Sequence, residues 1–214
     1  MLGFMNKLQN LLDNTRLADF LAPLALRLYL APIFIAVGLH KAYNFSDIVS
    51  WFKYSLELPA PELMAFLATA TELVGGFALL FGVAVRWFAV PLMIAMVVAA
   101  FTAHWDKGWF AIAPSDPESS IANVLAPIGF PGAQESLQNS VEVSKHLDRA
   151  RGILRENGNY DWLTAKGNFV VLNNGIEFAA TYFIMLLTLF FMGAGRYVSV
   201  DYWVAKVCRT QPPA

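Results

Sequence analysis

Glu72 is a single carboxylate about halfway along the apolar run from Leu63 to Val85. A helix rises about 1.5 Å per residue, so this run can span a bilayer and would hold Glu72 near its midplane. A bare carboxylate is costly there and needs protonation, a cation, or a packed or wet surrounding. Small residues that let a second helix approach flank it at helical spacing: Ala68, Thr69, Gly75 and Gly76. The face carrying Glu72 is therefore predicted to be packed.

Three further ionisable residues lie inside apolar stretches. Arg27 and Lys41 share one narrow sector of the first stretch, and Glu177 opens the last one. From their depths along the helices we predict two ion pairs, Arg27 with Glu72 and Lys41 with Glu177. Intramembrane ionisable groups often mark proton paths or ligand sites, so all four are our candidate catalytic residues for proton relay or quinone binding. The alternative is that paired charges only fix the register of the bundle.

Polar residues near these charges are candidate ligands of a cofactor. Thr181 follows Glu177 by one helical turn, Asn174 precedes that helix, and His40 ends the first stretch. We assign these three to cofactor binding; the identity of the cofactor stays open, and a quinone is one candidate. His40 and His104 could also meet at the outer ends of two helices and ligate haem or a metal. Without a third ligand or a CxxCH motif, interfacial histidines are favoured and no metal site is predicted.

The composition indicates a membrane protein. Of 214 residues, 57% are hydrophobic and 14% are charged, against about 25% charged in soluble domains. Four stretches can span a membrane as helices: 21–40, 63–85, 87–103 and 176–193. The predicted fold is thus an all-α bundle of four transmembrane helices.

The spans divide the chain into five segments. They are an amphipathic interfacial helix over 1–20, three transmembrane helices over 21–104, an extracytoplasmic insert over 105–173, a fourth transmembrane helix over 174–196 and a tail over 197–214. Apolar residues at helical spacing define the first: Phe4, Leu8, Leu11 and Leu12. A short aromatic loop is predicted over 42–61, and a helix over 133–157 within the insert. The distribution of Lys and Arg predicts that both termini lie in the cytoplasm and that the insert lies on the opposite side of the membrane.

Other function classes find little support. The net charge is −1 with no long basic run, which argues against nucleic-acid binding. One cysteine, Cys208, excludes an intrachain disulfide. Flavin, dinucleotide and iron–sulfur motifs are absent, so electrons would come from a protein partner that carries the redox cofactor. The chain is expected to contact lipid and to be an accessory subunit of an oxidoreductase; whether it catalyses a reaction, and whether it forms an oligomer, stay open.

The order and spacing of several motifs resemble the DoxX family of small four-helix membrane proteins. The residues that carry this resemblance are Arg27, Gly38 and Lys41, the run Thr71-Glu72-Leu73-Val74-Gly75-Gly76 with Gly82, and Asn174-Gly175-Ile176-Glu177 before Gly193-Ala194-Gly195-Arg196-Tyr197 and Asp201. The family is named after a subunit of a thiosulfate:quinone oxidoreductase, and other members are described as membrane parts of redox or detoxification complexes. The resemblance therefore implies an accessory role in quinone-linked redox chemistry at the bacterial inner (cytoplasmic) membrane, with the insert in the periplasm.

The insert of about seventy residues departs from the minimal family pattern. Long-insert relatives occur beside genes for small secreted metal-binding peptides, and this implies a role in metal or oxidative stress. The resemblance therefore leaves a second hypothesis, a non-catalytic membrane partner that helps mature, export or dock a small periplasmic metal-binding peptide. A small-solute transporter is disfavoured, because four helices without internal repetition offer little machinery for alternating access.

Overall fold

The computed structural model describes residues 2–118, 120–130 and 132–208. Within them the chain is helical, without a β-strand; Ile112 and Leu172 form an isolated antiparallel bridge. The α-helices are α1 (Leu2–Asn14), α2 (Leu21–Tyr43), α3 (Phe45–Tyr54), α4 (Pro61–Phe81), α5 (Val85–Ala99), α6 (Ile121–Leu125), α7 (Ala133–Asn157), α8 (Tyr160–Thr164), α9 (Glu177–Met192) and α10 (Val200–Cys208). The predicted all-α class is confirmed.

Three helices among the described residues are long and apolar enough to cross a membrane. They are α2, α4, and α5 together with the π-helical turn and 3-10 turn that extend it to Lys107. Helix α9 is apolar but has 16 residues, about 24 Å of helix against a hydrocarbon core of about 30 Å. A fourth span therefore stays a prediction, which would need residues beyond both ends of α9.

The described residues form two compact units, one of residues 2–98 and 181–208 and one of residues 99–180. In the first unit, α2 packs against α4 where glycines remove the side chain. A Cβ on Gly38 would lie 2.9 Å from the backbone nitrogen of Leu73, and one on Gly76 would lie 2.8 Å from the Ile35 side chain. These two contacts fix α2 and α4 as an antiparallel pair in close approach.

The hydrophobic core of the first unit lies among α2, α4, α5 and α9. Its fully buried large side chains are Leu30, Leu79, Leu92, Leu186 and Leu189. Phe34 is 2% exposed and meets Tyr182 edge to face, with ring centroids 6.2 Å apart. Helix α9 thus contributes packing along one face.

Helix α3 was not predicted, and the expectation of a loop over 42–61 is wrong for its first half. Residues 45–54 form a helix that packs against α4; Phe52 on it is 7% exposed, while Trp51 and Tyr54 are exposed. The chain then reaches α4 through Ala60, whose φ is +47°, and Pro61 at the first helical turn. A helix of ten residues is too short to be recognised from its sequence pattern, and burial of Phe52 contributes to its stability.

In the second unit, α7 spans Ala133–Asn157, the same bounds as the helix predicted in the insert. In the first unit, α1 lies within the predicted N-terminal segment. The side chains of Phe4, Leu8 and Leu11, on which its amphipathic face was predicted, lie outside the described residues. So do residues 209–214 of the predicted tail.

Candidate functional site

The buried ion pair of the first unit joins Lys41 on α2 to Glu72 on α4. Lys41 Nζ donates to Glu72 Oε1 at 2.6 Å, and the Lys41 and Glu72 side chains are 16% and 6% exposed. The other carboxylate oxygen, Glu72 Oε2, is buried without a hydrogen-bond partner among the described residues. A buried carboxylate oxygen normally accepts a hydrogen bond, so Oε2 is an available acceptor inside the bundle.

The face of Glu72 is packed, as the small residues around it predict. Thr69, Gly75 and Gly76 are buried with it, and the Thr69 hydroxyl donates to the carbonyl of Ala65 one turn earlier. The single proton of the Thr69 hydroxyl is therefore donated within α4 and is not donated to Glu72 Oε2.

Arg27 does not pair with Glu72, and that predicted ion pair is wrong. The Arg27 guanidinium is 1% exposed and donates to backbone carbonyls of Leu79 at 2.7 Å, Leu80 at 3.0 Å, Ala194 at 2.7 Å and Val198 at 3.3 Å. Two of these carbonyls lie in the last turn of α4, at the negative end of the helix dipole, and that of Leu79 also accepts from the Gly82 N–H at 3.2 Å. The fork of guanidinium donors satisfies this set at once.

Asp201 lies at the turn between α4 and α5, where the Arg27 guanidinium also donates; we call this region the joint. The sequence marks Asp201 only as part of a motif and does not predict this role. Its carboxylate accepts from the backbone N–H of Ala84 at 2.6 Å and of Val85 at 3.0 Å, at the start of α5. Its own N–H donates to the Gly82 carbonyl at 2.9 Å. Asp201 therefore caps α5 while Arg27 closes α4, and both act as structural residues.

Gly82 is the turn between α4 and α5 that this joint surrounds. Its φ is +68°, and a Cβ there would lie 2.6 Å from an Arg27 guanidinium nitrogen. Both the left-handed backbone and the close approach of Arg27 require glycine at this position.

The predicted ion pair between Lys41 and Glu177 is also wrong, because the acid that pairs with Lys41 is Glu72. Glu177 Oε2 accepts a hydrogen bond from the backbone N–H of Ala111 at 2.9 Å, within the second unit. The Glu177 N–H donates to the Trp109 carbonyl at 2.8 Å. Glu177 thus fastens the start of α9 to the segment after Lys107.

Asn174 belongs to the same fastening. Its N–H donates to the Ala111 carbonyl at 2.7 Å, its φ is +56°, and its carbonyl lies 2.7 Å from His104 Nδ1. The neighbouring Asn173 side-chain amide donates to the carbonyls of Lys107 and Phe110. The two asparagines of the Asn-Asn-Gly run therefore form hydrogen bonds that hold the backbone before α9. From the sequence alone, this structural role cannot be distinguished from ligand binding.

The other residues assigned to cofactor binding have local surroundings of their own. His40 is exposed, and the Asn44 side-chain amide donates to its Nδ1 at 3.3 Å. Thr181 is exposed on α9. Neither His40 nor Thr181 is hydrogen-bonded to Glu72, whose Oε1 accepts from Lys41 and whose Oε2 has no partner among the described residues. Among the described residues, no cluster of three or more His, Cys, Asp or Glu side chains could hold a metal.

A cleft of about 870 Å³ lies within the second unit. Its walls carry aromatic and aliphatic side chains beside a smaller polar edge: Trp105, Trp109, Phe110, Ile121, Phe130 and Ile176, with Asp106, Lys107, Glu135, Ser136 and Asn139. A volume of this size suits a drug-sized ligand or a short peptide segment.

Comparisons with known proteins find similarity in the part of the chain that carries α2, α4 and α5. Residues 22–105 match the DoxX family model. An uncharacterized protein of Haemophilus influenzae is 34% identical over 89 residues, which cover 40% of this chain and 59% of that relative. This chain thus spans under two thirds of the relative's length. No solved structure matches.

Proposed function

Because residues 22–105 match the DoxX family model, we propose that this multi-pass membrane protein is an accessory subunit of a quinone-linked redox or stress-response complex in a bacterial inner membrane. The proposal rests on one observation, the unpartnered and buried Glu72 Oε2 beside the ammonium of Lys41. Both termini would lie in the cytoplasm, with α9 and its flanks as a fourth span.

The donor set fits a quinone headgroup. Glu72 Oε2 can accept a hydrogen bond from a hydroxyl, and Lys41 Nζ can donate one to a carbonyl oxygen. A bound quinone would supply two-electron, two-proton redox chemistry, with the electrons exchanged by a partner protein that carries a redox cofactor. In this proposal Glu72 takes up or releases a proton at Oε2, and Lys41 stabilises the carboxylate while it is ionised.

Glu177, Arg27, His40, Thr181 and Asn174 are not needed for this chemistry. Arg27 and Glu177 position helices, and Asn174 shapes the backbone before α9. The proposed site therefore narrows from seven candidate residues to the pair of Lys41 and Glu72.

Binding of a short-chain quinone in detergent tests this proposal. The wild type should gain thermal stability, by about 2.7 kcal/mol when the ligand is at one hundred times its Kd. The E72Q variant, which keeps the shape but loses the charge, should gain nothing. E62Q on the same helix is the matched control, because Glu62 is exposed in the first turn of α4. Equal stabilisation of wild type and E72Q would contradict the site.

The cleft of the second unit favours a second candidate, the docking of a small periplasmic metal-binding peptide. An apolar wall with a polar edge suits a peptide that buries one or two apolar side chains and keeps its backbone hydrated.

Filling this cleft separates the two candidates. The S136W variant should abolish capture of the co-expressed peptide, because Ser136 lines the cleft, and should leave stabilisation by quinone unchanged. A matched S46W variant on exposed α3 controls for the added tryptophan. If S136W keeps full peptide capture, the docking candidate is wrong.

A further inference from the structure

Four large apolar side chains are exposed together on the segment of α6 and the turn after it. They are Ile121 at 57%, Val124 at 68%, Ile128 at 73% and Phe130 at 57% exposure, and we call them the α6 patch. Ile121 and Phe130 also line the cleft of the second unit, whereas Val124 and Ile128 do not. The first three recur at helical spacing on one face. Exposed groups of large apolar residues mark sites that another apolar phase covers.

The opposite face of α6 is occupied by protein. Ala122 is 2% exposed, Leu125 is half-buried, and α6 packs against α7. The Ser120 hydroxyl accepts from the Ala122 N–H at 3.3 Å and begins the helix. Because this face of α6 is packed against protein, the α6 patch is held facing away from α7.

Charge is missing along the whole segment. The sequence has no Asp, Glu, Lys or Arg from Ser119 to Gln134, whereas α7 directly after it carries many charged residues. A water-facing loop of sixteen residues would normally contain several charges. The segment is thus suited to a surface from which ions are excluded.

The position of α6 says which surface this is. The cleft wall joins Ile121 and Leu125 to Trp105 and Trp109, so α6 lies beside the end of the spanning helix Val85–Lys107. Trp105 and Trp109 are each more than half exposed, as is typical of tryptophans at the membrane–water interface. If Val85–Lys107 spans the bilayer, as its length and composition allow, the α6 patch lies next to the level at which the chain leaves the bilayer.

We propose that the α6 patch docks on the lipid bilayer itself, with Val124 and Ile128 entering the boundary between headgroups and acyl chains. Chain continuity with a spanning helix brings the patch to the membrane, and the uncharged segment makes immersion independent of anionic lipid. The patch would thereby hold this side of the second unit against the membrane. This inference does not depend on quinone binding.

Single-cysteine spin labelling of the full chain tests the proposal. The chain has one cysteine, so C208S gives a cysteine-free background, into which V124C and I128C are introduced. The protein is reconstituted into phosphatidylcholine vesicles, and the label's collisions with oxygen and with a water-soluble nickel chelate are measured. I94C, exposed on α5, serves as the lipid-facing reference and E142C, exposed on α7, as the water-facing one.

Labels at 124 and 128 should resemble the label at 94, with oxygen collisions exceeding nickel collisions and the ratio reversed at 142. Nickel collisions as frequent as at 142 would overturn the proposal, since the patch would face water. Low collision rates with both reagents would also overturn it, because a second copy or another protein would then cover the patch. Circular dichroism of each labelled variant confirms that the fold is kept.

Discussion

The R27M variant should lose about 3–5 kcal/mol of unfolding free energy, because each buried carbonyl left without a donor costs about 1–3 kcal/mol. Methionine fills a similar volume but donates nothing, so four backbone carbonyl oxygens lose their Arg27 donors. The end of α4 and the segment after α9 would then separate. Unfolding in mixed micelles, titrated with dodecyl sulfate and followed by circular dichroism, measures the loss.

Arg86 provides the matched control for this variant. Its Nε also donates to a backbone carbonyl, that of Phe190 at 2.7 Å, but the residue is exposed. R86M should cost about 0.5 kcal/mol or less, as is usual for surface substitutions. A similar loss in both variants would contradict the special role of Arg27 at the joint of α4, α5 and α10.

Patterns that extend over many residues were predicted well. The all-α class follows from apolar runs long enough to span a membrane, and the bounds of α7 follow from helical spacing between turn residues. The burial of Glu72 follows from the small residues on its face. Each of these predictions depends on local sequence, and none requires the register between two helices.

To predict which acid pairs with which cation, the register of α2 against α4 must be known, and both predicted ion pairs were wrong for this reason. Gly38 faces Leu73 and Ile35 faces Gly76, so α2 and α4 run antiparallel. This register puts Lys41 within about one turn of the level of Glu72 and Arg27 about three turns from it. Depths counted from the ends of apolar runs do not give the register of one helix against another, and the predicted pair would have needed Arg27 about three turns nearer to Glu72.

Backbone partners escaped prediction for another reason. Arg27, Asp201, Asn173 and Glu177 all bond to main-chain groups. Every residue except proline offers such groups, so side-chain type does not reveal them. Matching charged side chains with one another therefore overlooks partners at helix ends, where unsatisfied carbonyls and N–H groups collect.

Variants of Lys41 distinguish two possible roles of the Lys41–Glu72 ion pair, fixing the register of α2 against α4 and binding a ligand. K41M alone should destabilise the protein by about 3–5 kcal/mol, because Glu72 would stay buried without its cation. The double variant K41M/E72Q should recover most of this loss, since a neutral pair carries no desolvated charge. K53M on exposed α3 is the matched control and should change little.

The double variant then decides the role of the charges. It keeps the close approach of Gly38 to Leu73 and thus the register, but lacks both the acceptor carboxylate and the ammonium. Under the proposed function it should be folded and yet gain no stability from a short-chain quinone. A double variant that is stable and still stabilised by quinone as the wild type is would reduce Lys41 and Glu72 to a packing device. Thermal unfolding with and without the quinone, on wild type and all three variants together, gives this answer because folding and binding are read in one experiment.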